Sequence, residues 1–467
     1  MAKSKMLPIL LIAVSLLVTS FAGCAKKEVA EPIEDLTQRY ENVTRLTTDP
    51  ANDRNPVWSP DGSKILFKRS HSTYDGRIRH YLGGYICVMD SDGRNVKNLT
   101  EGEDSFSTGR GTEVFFSRRM VRVVGNTLFF TRSIVETREV EVGTEPFQTG
   151  YELWSISLDG GNLEKISECK PELKDAETKL DLNSWSKDGK RAALYTLEDT
   201  GRVWLNMVDG TWKWAEQAPS EAEVGPGHYP KAGIDAIYAE YIPHIWMWDV
   251  ESDVTRRIIS LQPWTMRIPF KEEIRWSPDG RRIALSDIEI VDGQAYEHVY
   301  VIDVESGEKE KLTSYPGVNN FPAWSPDGRK IMYLRSEGRG RLGFPVNPDI
   351  WVMNADDSDK KQLTDSPMSE DAWWSPDGAR IAYIVYSRGI FDEGKKSKED
   401  KSEIWVMNTD GSDKQLLLSV PYQYGLIEEL EWSPDGTRLA FVWDPNVEGV
   451  DKDIYLIDVS ANSTERR

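Results

Sequence analysis

One string constrains this chain more than any other feature. Residues 275–287 read RWSPDGRRIALSD, residues 323–335 read AWSPDGRKIMYLR, and residues 431–443 read EWSPDGTRLAFVW. In Ser-Pro-Asp-Gly the proline fixes φ at the second turn position. Ser and Asp hydrogen-bond locally, and Gly takes the left-handed conformation that ends the turn. The residues after the turn alternate apolar and polar, as half-buried strands do. Self-similarity of this kind marks one repetitive architecture, so the 467 residues are not divided by length alone into about three domains.

Six clear copies carry Trp58, Trp185, Trp276, Trp324, Trp374 and Trp432. Two looser copies, 121–133 and 229–241, keep a Gly turn and a hydrophobic strand but lose the Trp. A hairpin string alternates with the first, with copies starting at residues 85, 152, 202, 244, 298, 349, 403 and 453. One repeat is therefore four short antiparallel strands, A and B from the Trp string, C and D from the hairpin. Such a sheet cannot bury both faces alone, whereas radial stacking against its copies can. The Trp near the end of strand A is large enough to fill the wedge between neighbours. The expected fold is all-β, a single β-propeller of eight four-stranded blades, or seven if a degenerate unit is an insertion. The last hairpin, DIYLIDV, lacks its second strand, and ENVTRLTT (41–48) reads as that strand. This N-terminal strand is expected to complete the last blade and remove the open edge.

The Trp string followed by IWVMNTDGSDKQ (404–415), or by DIWVMNADDSDKKQLT (349–364), resembles the propeller repeat of TolB, the periplasmic component of the Tol–Pal envelope system. The same repeat occurs in the propeller of prolyl oligopeptidases. The resemblance covers about residues 41–460. TolB carries an α/β domain ahead of its propeller, and here about 16 residues separate Cys24 from the first strand. The resemblance therefore implies a TolB-like propeller rather than TolB itself.

The N-terminus adds an address. Lys3 and Lys5 precede an apolar run of 16 residues, 7–22, which is short for a membrane span and reads as a secretory signal. Ala22, Gly23 and Cys24 resemble a bacterial lipoprotein signal, in which the Cys is lipidated and becomes the new N-terminus; Phe21 stands where such signals usually carry Leu. The expected organisation is a signal peptide over 1–23, a tether over 24–40 and the propeller over 41–467. The expected location is the cell envelope, lipid-anchored, on the periplasmic or extracellular side. The net charge of −20 opposes binding to nucleic acid, which needs clustered Lys and Arg. Cys87, in a strand, and Cys169, in a loop, give no disulfide framework.

Strands in a blade alternate in direction, so A–B and C–D turns share one end of the disc and B–C and D–A connections share the other. The long connections belong to the second set: 71–84, 134–150, 336–348 and 387–402. Functional sites usually sit on such loops. Two groups stand out there. Four positions before each clear Trp, at the start of strand A, stand Arg54, Asp181, Glu272, Asn320, Glu370 and Glu428, a largely acidic rim for the central channel suited to a cation or a basic peptide. Tyr74, Arg77, Arg79, His80, Tyr81, Arg335, Arg339, Arg341 and Phe344 mix cations with aromatics, a composition typical of protein interfaces.

Catalytic signatures are sparse. The five His are His71, His80, His228, His244 and His298, and none has the HExxH spacing of a zinc protease. His244 and His298 open hairpin strands at matching repeat positions and read as structural. His71, His80 and His228 are a candidate metal set for the enzymatic alternative. No G-x-S-x-G elbow occurs. The Asp-rich turns 90–95 and 354–361 lack the rest of a calcium loop and read as hairpin turns. The expected function is a membrane-anchored binding module for an envelope protein or peptide, monomeric and without a cofactor. The alternative is a metal-dependent polysaccharide lyase or hydrolase on a propeller scaffold.

Overall fold

The computed structural model describes residues 35–74, 79–100, 114–115, 121–140, 143–169, 179–206, 211–214, 236–261, 264–265, 274–291, 294–338, 347–365, 369–387, 400–445 and 451–460. The Cys24 segment and the loop residues Arg77, Arg339, Arg341 and Phe344 lie outside them. Among the described residues, apart from short 3-10 turns at Leu36–Gln38 and Tyr422–Tyr424, the regular structure is β. Among the described residues no helix is long and apolar enough to cross a membrane.

Among the described residues the strands fall into seven antiparallel groups of the A–B–C–D pattern. The first runs Asn52–Trp58, Lys64–Tyr74, Arg79–Asp90 and Lys97–Asn98. The second places Val114–Phe115 and Arg122–Val124 beside Thr127–Val140, followed by Gly143–Ser157 and Glu164–Cys169. The third contains Lys179–Trp185, Arg191–Asn206, Ala236–Asp249 and Val254–Ser260. The fourth, starting at Arg275–Trp276, and the fifth, starting at Val318–Trp324, touch through one parallel pair, Glu297 with Val318. The sixth starts at Ser369–Trp374. The seventh orders Leu426–Trp432, Arg438–Asp444 and Asp453–Asp458, and then takes Val43–Arg45 from the chain's start. Val43 pairs with Ile457 and Arg45 with Tyr455.

The repeated strings have repeated atomic jobs. In the A–B turns, Ser59, Ser186, Ser277, Ser325, Ser375 and Ser433 each donate Oγ–H to the Asp two residues on, at 2.5–2.6 Å. The same serine oxygens accept from the amides of Lys64, Arg191, Arg282, Lys330, Arg380 and Arg438 at 2.9–3.0 Å. Gly62, Gly280 and Gly328 close the turns at φ near +70° (70, 69 and 72), where a side chain would be strained. At the end of strand D, Thr100, Thr313 and Thr364 accept from the strand C amides of Ile86, Val299 and Ile350. Thr47 does the same for Ile454 at 3.0 Å, although 407 residues separate them.

The cores lie between units. One cluster joins Val57, Leu66 and Ile86 of the first unit to Leu128, Phe130 and Ile156 of the second. Others join the second to the third through Leu153 and Leu194, and the third to the fourth through Met247 and Ile283. The fourth meets the fifth through Val301 and Ile331, and the fifth meets the sixth through Leu334 and Ile381. The sixth meets the seventh through Ile404 and Phe441, with Leu36, Tyr40 and Val43 included. The last cluster joins Ala440, Val442 and Ile454 of the seventh to Ile65, Phe67 and Met89 of the first. Four tryptophans bridge neighbours through Nε1: Trp276 to the carbonyl of Ser184, Trp324 to Arg275, Trp374 to Ala323 and Trp432 to Trp373, at 3.1–3.3 Å. Each acceptor is the residue just before the preceding unit's tryptophan.

Two expectations are corrected. The units read at 202–214 and 229–241 do not build a sheet of their own. Strand B of the third unit runs unbroken from Arg191 to Asn206, with one register shift after Asp199, and pairs with 236–249 from Arg191–Asp249 to Leu205–Ala236. The hairpin signal at 202 is real but local, since Val203–Asn206 also pairs with Thr211–Trp214. Its strands are the far end of an existing unit, and among the described residues the strands form seven groups, the alternative count read from the sequence. Second, 71–84 and 134–150 are not irregular loops throughout. Their strands continue to the pairs Tyr74–Arg79 and Val140–Gly143. Alternating β-formers such as IVETREV (134–140) carry the ladder on.

Candidate functional site

The rim residues stand where strand A breaks its ladder. A register shift follows Arg54, Asn320, Glu370 and Glu428, and one falls just after Asp181, between Leu182 and Ser184. Beyond three of these positions the chain takes a left-handed residue, Asn55 (φ 55), Phe321 (φ 52) and Glu429 (φ 55). A bulge of this kind re-aims the side chains beside it. Pro56 and Pro322 follow two of the left-handed residues, and a proline in a strand that otherwise reads as internal is the available sequence signal for the break.

Two of the rim residues are brought together. Arg54 Nη2 lies 3.2 Å from Glu428 Oε2. Lys452, which the sequence did not single out, donates to both Glu428 oxygens at 3.1 and 2.9 Å and reaches Asp444 at 2.5 Å. Beside them the Asn55 amide donates to Glu429 Oε2 at 2.6 Å. The rim between the first and seventh units is therefore an ion-paired seam, not a bare acidic arc. Asn320 is buried, and its Oδ1 has no hydrogen-bond partner. Glu272 lies outside the described residues, and Asp181 and Glu370 are placed by backbone alone.

Behind this seam sits a buried charge cluster. Arg69 forks onto both Asp53 oxygens at 2.8 and 2.7 Å and also pairs with Asp49. Asp53 is fully buried, and burial raises its carboxyl pKa against the pull of Arg69. Asp453 is pushed up to about 6 by burial, while Arg45 and Thr47 favour its charged form. Arg45 bonds Asp453 at 2.6 Å and Asp35 at 3.3 Å. Arg45, Asp35, Thr47 and Asp453 hold the N-terminal segment to the last unit, and the four carboxylates of the cluster share two guanidiniums.

The loop-bearing end is built by B–C hairpins that overrun their neighbours. In the first unit Ser72–Tyr81, Thr73–His80 and Tyr74–Arg79 pair beyond the strand A contact at Asn52–Ser70. This places Tyr74, Arg79, His80 and Tyr81 on one projecting hairpin. In the second, third and fourth units the described B–C ladders run to Val140–Gly143, Leu205–Ala236 and Val291–Gln294. Arg335 is far from that first hairpin in sequence, near the end of strand B of the fifth unit. It stacks against Tyr315 and Trp351, neither of which the sequence pointed to.

The histidines at matching positions share one role. His244 Nδ1 meets Ser260 Oγ at 2.9 Å, and His298 Nδ1 meets Thr313 Oγ1 at 3.3 Å. Both rings are buried. Burial and Lys311 lower the pKa of His298, opposed by Glu289 at 3.3 Å. Cys87 and Cys169 are both buried and free; Cys169 is in a strand rather than a loop. Among the described residues no group of three or more His, Cys, Asp or Glu is arranged to hold a metal. The side chains of His71, His80 and His228 lie outside that description.

Residues 273–391 match the TolB beta propeller domain. An uncharacterized protein of Agrobacterium fabrum is 30% identical over 170 residues, covering 36% of this chain and 53% of its own length. The Tol-Pal system protein TolB of Anaeromyxobacter dehalogenans is 33% identical over 119 residues, 26% of this chain and 23% of that protein. The matched regions thus span about half or less of these relatives. Among solved structures, an oligogalacturonate lyase in complex with manganese superposes with a TM-score of 0.52 at 15% identity, covering 89% of this chain and 92% of its own. That likeness is one of fold.

Proposed function

We propose that this chain, which is a TolB-like β-propeller, works as a cell-envelope binding module that docks a protein or peptide at its loop-bearing end. In this reading the propeller is a closed ring of seven blades, held to a membrane by a lipid on Cys24 and facing the periplasm or the exterior. Support for closure comes from the seventh core cluster, which joins the last unit to the first, and from Val43–Arg45 on Asp453–Asp458. The match to a Tol-Pal system protein supports the envelope setting.

The observation that carries the docking reading is the set of four long B–C hairpins in the first four units. They would raise a wall around one end of the disc, with Tyr74, Arg79, His80 and Tyr81 on the first of them. Arg77, Arg339, Arg341 and Phe344 belong to the same docking surface in this proposal, and the six rim positions surround its centre. Rigid strands make good supports for binding residues, because little conformational entropy is lost on docking.

Affinity capture tests this with the full chain in detergent against an envelope extract. The comparison is wild type against a variant with Arg77, Arg79, Arg339 and Arg341 changed to Ser, both checked for equal melting temperature. A defined partner held by wild type and reduced at least tenfold by the variant is expected. Equal capture would remove these cations from the site. Stoichiometric transition metal that disappears on His71→Ala or His80→Ala, together with cleavage of an oligouronate, would replace the reading with a metal-dependent lyase.

A further inference from the structure

Arg335 occupies an unusual setting for an exposed-end cation. Its guanidinium carbon lies 3.3 Å from the Tyr315 ring centre and 4.2 Å from that of Trp351. Two aromatic faces therefore cover the guanidinium. The N–H groups of a guanidinium lie in its plane, so stacking leaves them directed outward at the edge. Among the described residues no carboxylate or other acceptor takes them. Asp349 is the residue directly opposite Arg335 in the strand pair. Its oxygens accept instead from Gln362 Nε2 at 2.9 Å and Thr364 Oγ1 at 3.2 Å.

The stack is held in place from behind. Asn319 Nδ2 donates to the carbonyls of Tyr315 and Glu297, both at 3.0 Å, which fixes the turn that carries the tyrosine. Gly317 lets that turn press on the strand just past Arg335. It sits at φ +125, and a Cβ there would lie 2.5 Å from the Ser336 carbonyl oxygen. Trp351 lies on strand C beside Tyr333, with ring centres 6.4 Å apart. Tyr315 remains 40% exposed, so the site is open to solvent. A cation fixed in this way gives up little freedom when it meets a ligand.

We propose that Arg335, framed by Tyr315 and Trp351, receives a carboxylate from an acidic segment of a peptide. The proposal rests on the protein-binding reading above and names the ligand chemistry at one point of that surface. The planar edge of a guanidinium matches a carboxylate with two parallel hydrogen bonds. The flanking faces of the rings are already occupied by the guanidinium, so a sugar ring has less aromatic surface to stack on, which favours a carboxylate on a flexible carrier. Tyr, Trp and Arg are also the residues that dominate binding energy at protein interfaces.

Isothermal titration of the full chain in detergent, at low ionic strength, provides the test. The probes are N-acetylated, C-amidated tetraglutamate, the matching tetraglutamine, and trigalacturonate. Tetraglutamate is expected to bind and tetraglutamine not. Arg335→Gln should weaken tetraglutamate at least tenfold. Arg335→Lys should lose most of that affinity too, because it keeps the charge without the planar fork. Tyr315→Leu leaves the cation but removes one face of the frame and should weaken binding several-fold; it keeps the test alive if Arg335→Gln fails to fold. Equal binding by wild type and a folded Arg335→Gln would overturn the proposal, as would no binding of tetraglutamate at millimolar concentration. Trigalacturonate binding while tetraglutamate stays inert would overturn the peptide assignment and give the cation to a sugar acid. Arg335 is intact in the capture variant described above, so failure here and failure of the docking reading are separable.

Discussion

Ser433 and Asp435 illustrate how much one turn carries. The serine donates to Asp435 Oδ1 at 2.6 Å and accepts from the Arg438 amide at 2.9 Å, while Asp435 also accepts from Thr437. The hydroxyl of Ser433 is the first cause of the low Asp435 pKa, which falls to about 2; Asp61 falls to about 2 in the same way. Because the folded carboxyl has the lower pKa, the unfolded chain binds more protons between about pH 4 and pH 2. The turn's contribution is therefore complete above that window and is lost as pH falls through it. Urea unfolding followed from pH 6 to pH 2.5 should show stability falling below about pH 4, with a shallower fall in Ser433→Ala. Equal slopes would mean the turns do not set acid stability. The tryptophans allow a sharper contrast. Arg282, Arg380 and Arg438 each stack on the Trp of the next unit, at 4.8–5.2 Å from Trp324, Trp432 and Trp58. Trp324 and Trp432 also donate Nε1 to the preceding unit, whereas Trp58 Nε1 has no partner. Trp324→Phe should then cost about 1 kcal/mol more than Trp58→Phe, the net worth of one hydrogen bond plus its stranded acceptor. Equal losses in denaturant titrations would refute the ladder as a source of stability.

At the scale of elements, the segment 43–47 behaves as a displaced strand D. Leu46 donates its amide to Ile454, as Leu99 does to Ile86, Leu312 to Val299 and Leu363 to Ile350. Thr47 then caps Ile454 and donates to Asp453 Oδ1 at 2.9 Å. Thr47→Val should cost about 1–2 kcal/mol, since it leaves a buried amide without its acceptor. Hydrogen exchange should localise the change to the Ile454 amide and its neighbours, and an effect spread evenly over all units would contradict the assignment. This strand was legible because its Leu-Thr at 46–47 recurs at the repeat ends 99–100, 312–313 and 363–364. The Ser-Pro-Asp-Gly turns were legible for the same reason. Other elements were hidden from the sequence. Nothing in a strand's composition says where its partner stops, so hairpins that overrun strand A read as loops. The 202–214 hairpin carried a true turn signal, yet only pairing with 236–249 reveals that it extends an existing unit. The frame of Arg335 was illegible because Tyr315, Arg335 and Trp351 come from a turn and two strands, and stacking obeys no sequence period.

At the scale of the whole molecule, the closed ring proposed above raises the question of what keeps weakly connected units together. In that ring every unit leans on two neighbours, so a missing junction exposes two faces at once. Six junctions join units consecutive in the chain. The seventh depends on contacts between the chain's two ends: the core of Phe67 and Ile454, the Arg54–Glu428–Lys452 seam, and the strand at Val43–Arg45. That strand also anchors Leu36 and Tyr40, each no more than 1% exposed, against the sixth and seventh units. Deleting residues 35–48 should therefore do more than shorten the protein. It bares one edge of Asp453–Asp458, an invitation to pair with another chain. It also removes two large buried side chains, each worth about 2–5 kcal/mol when truncated singly. The expected outcome is a lower and broader calorimetric transition, with concentration-dependent association in light scattering. A synthetic peptide of residues 35–48 added to the deletion variant should restore the transition, and the same peptide with Thr47→Val and Tyr40→Ala should restore it poorly. An unchanged single transition in the deletion variant would mean the ring is held shut without its N-terminal strand.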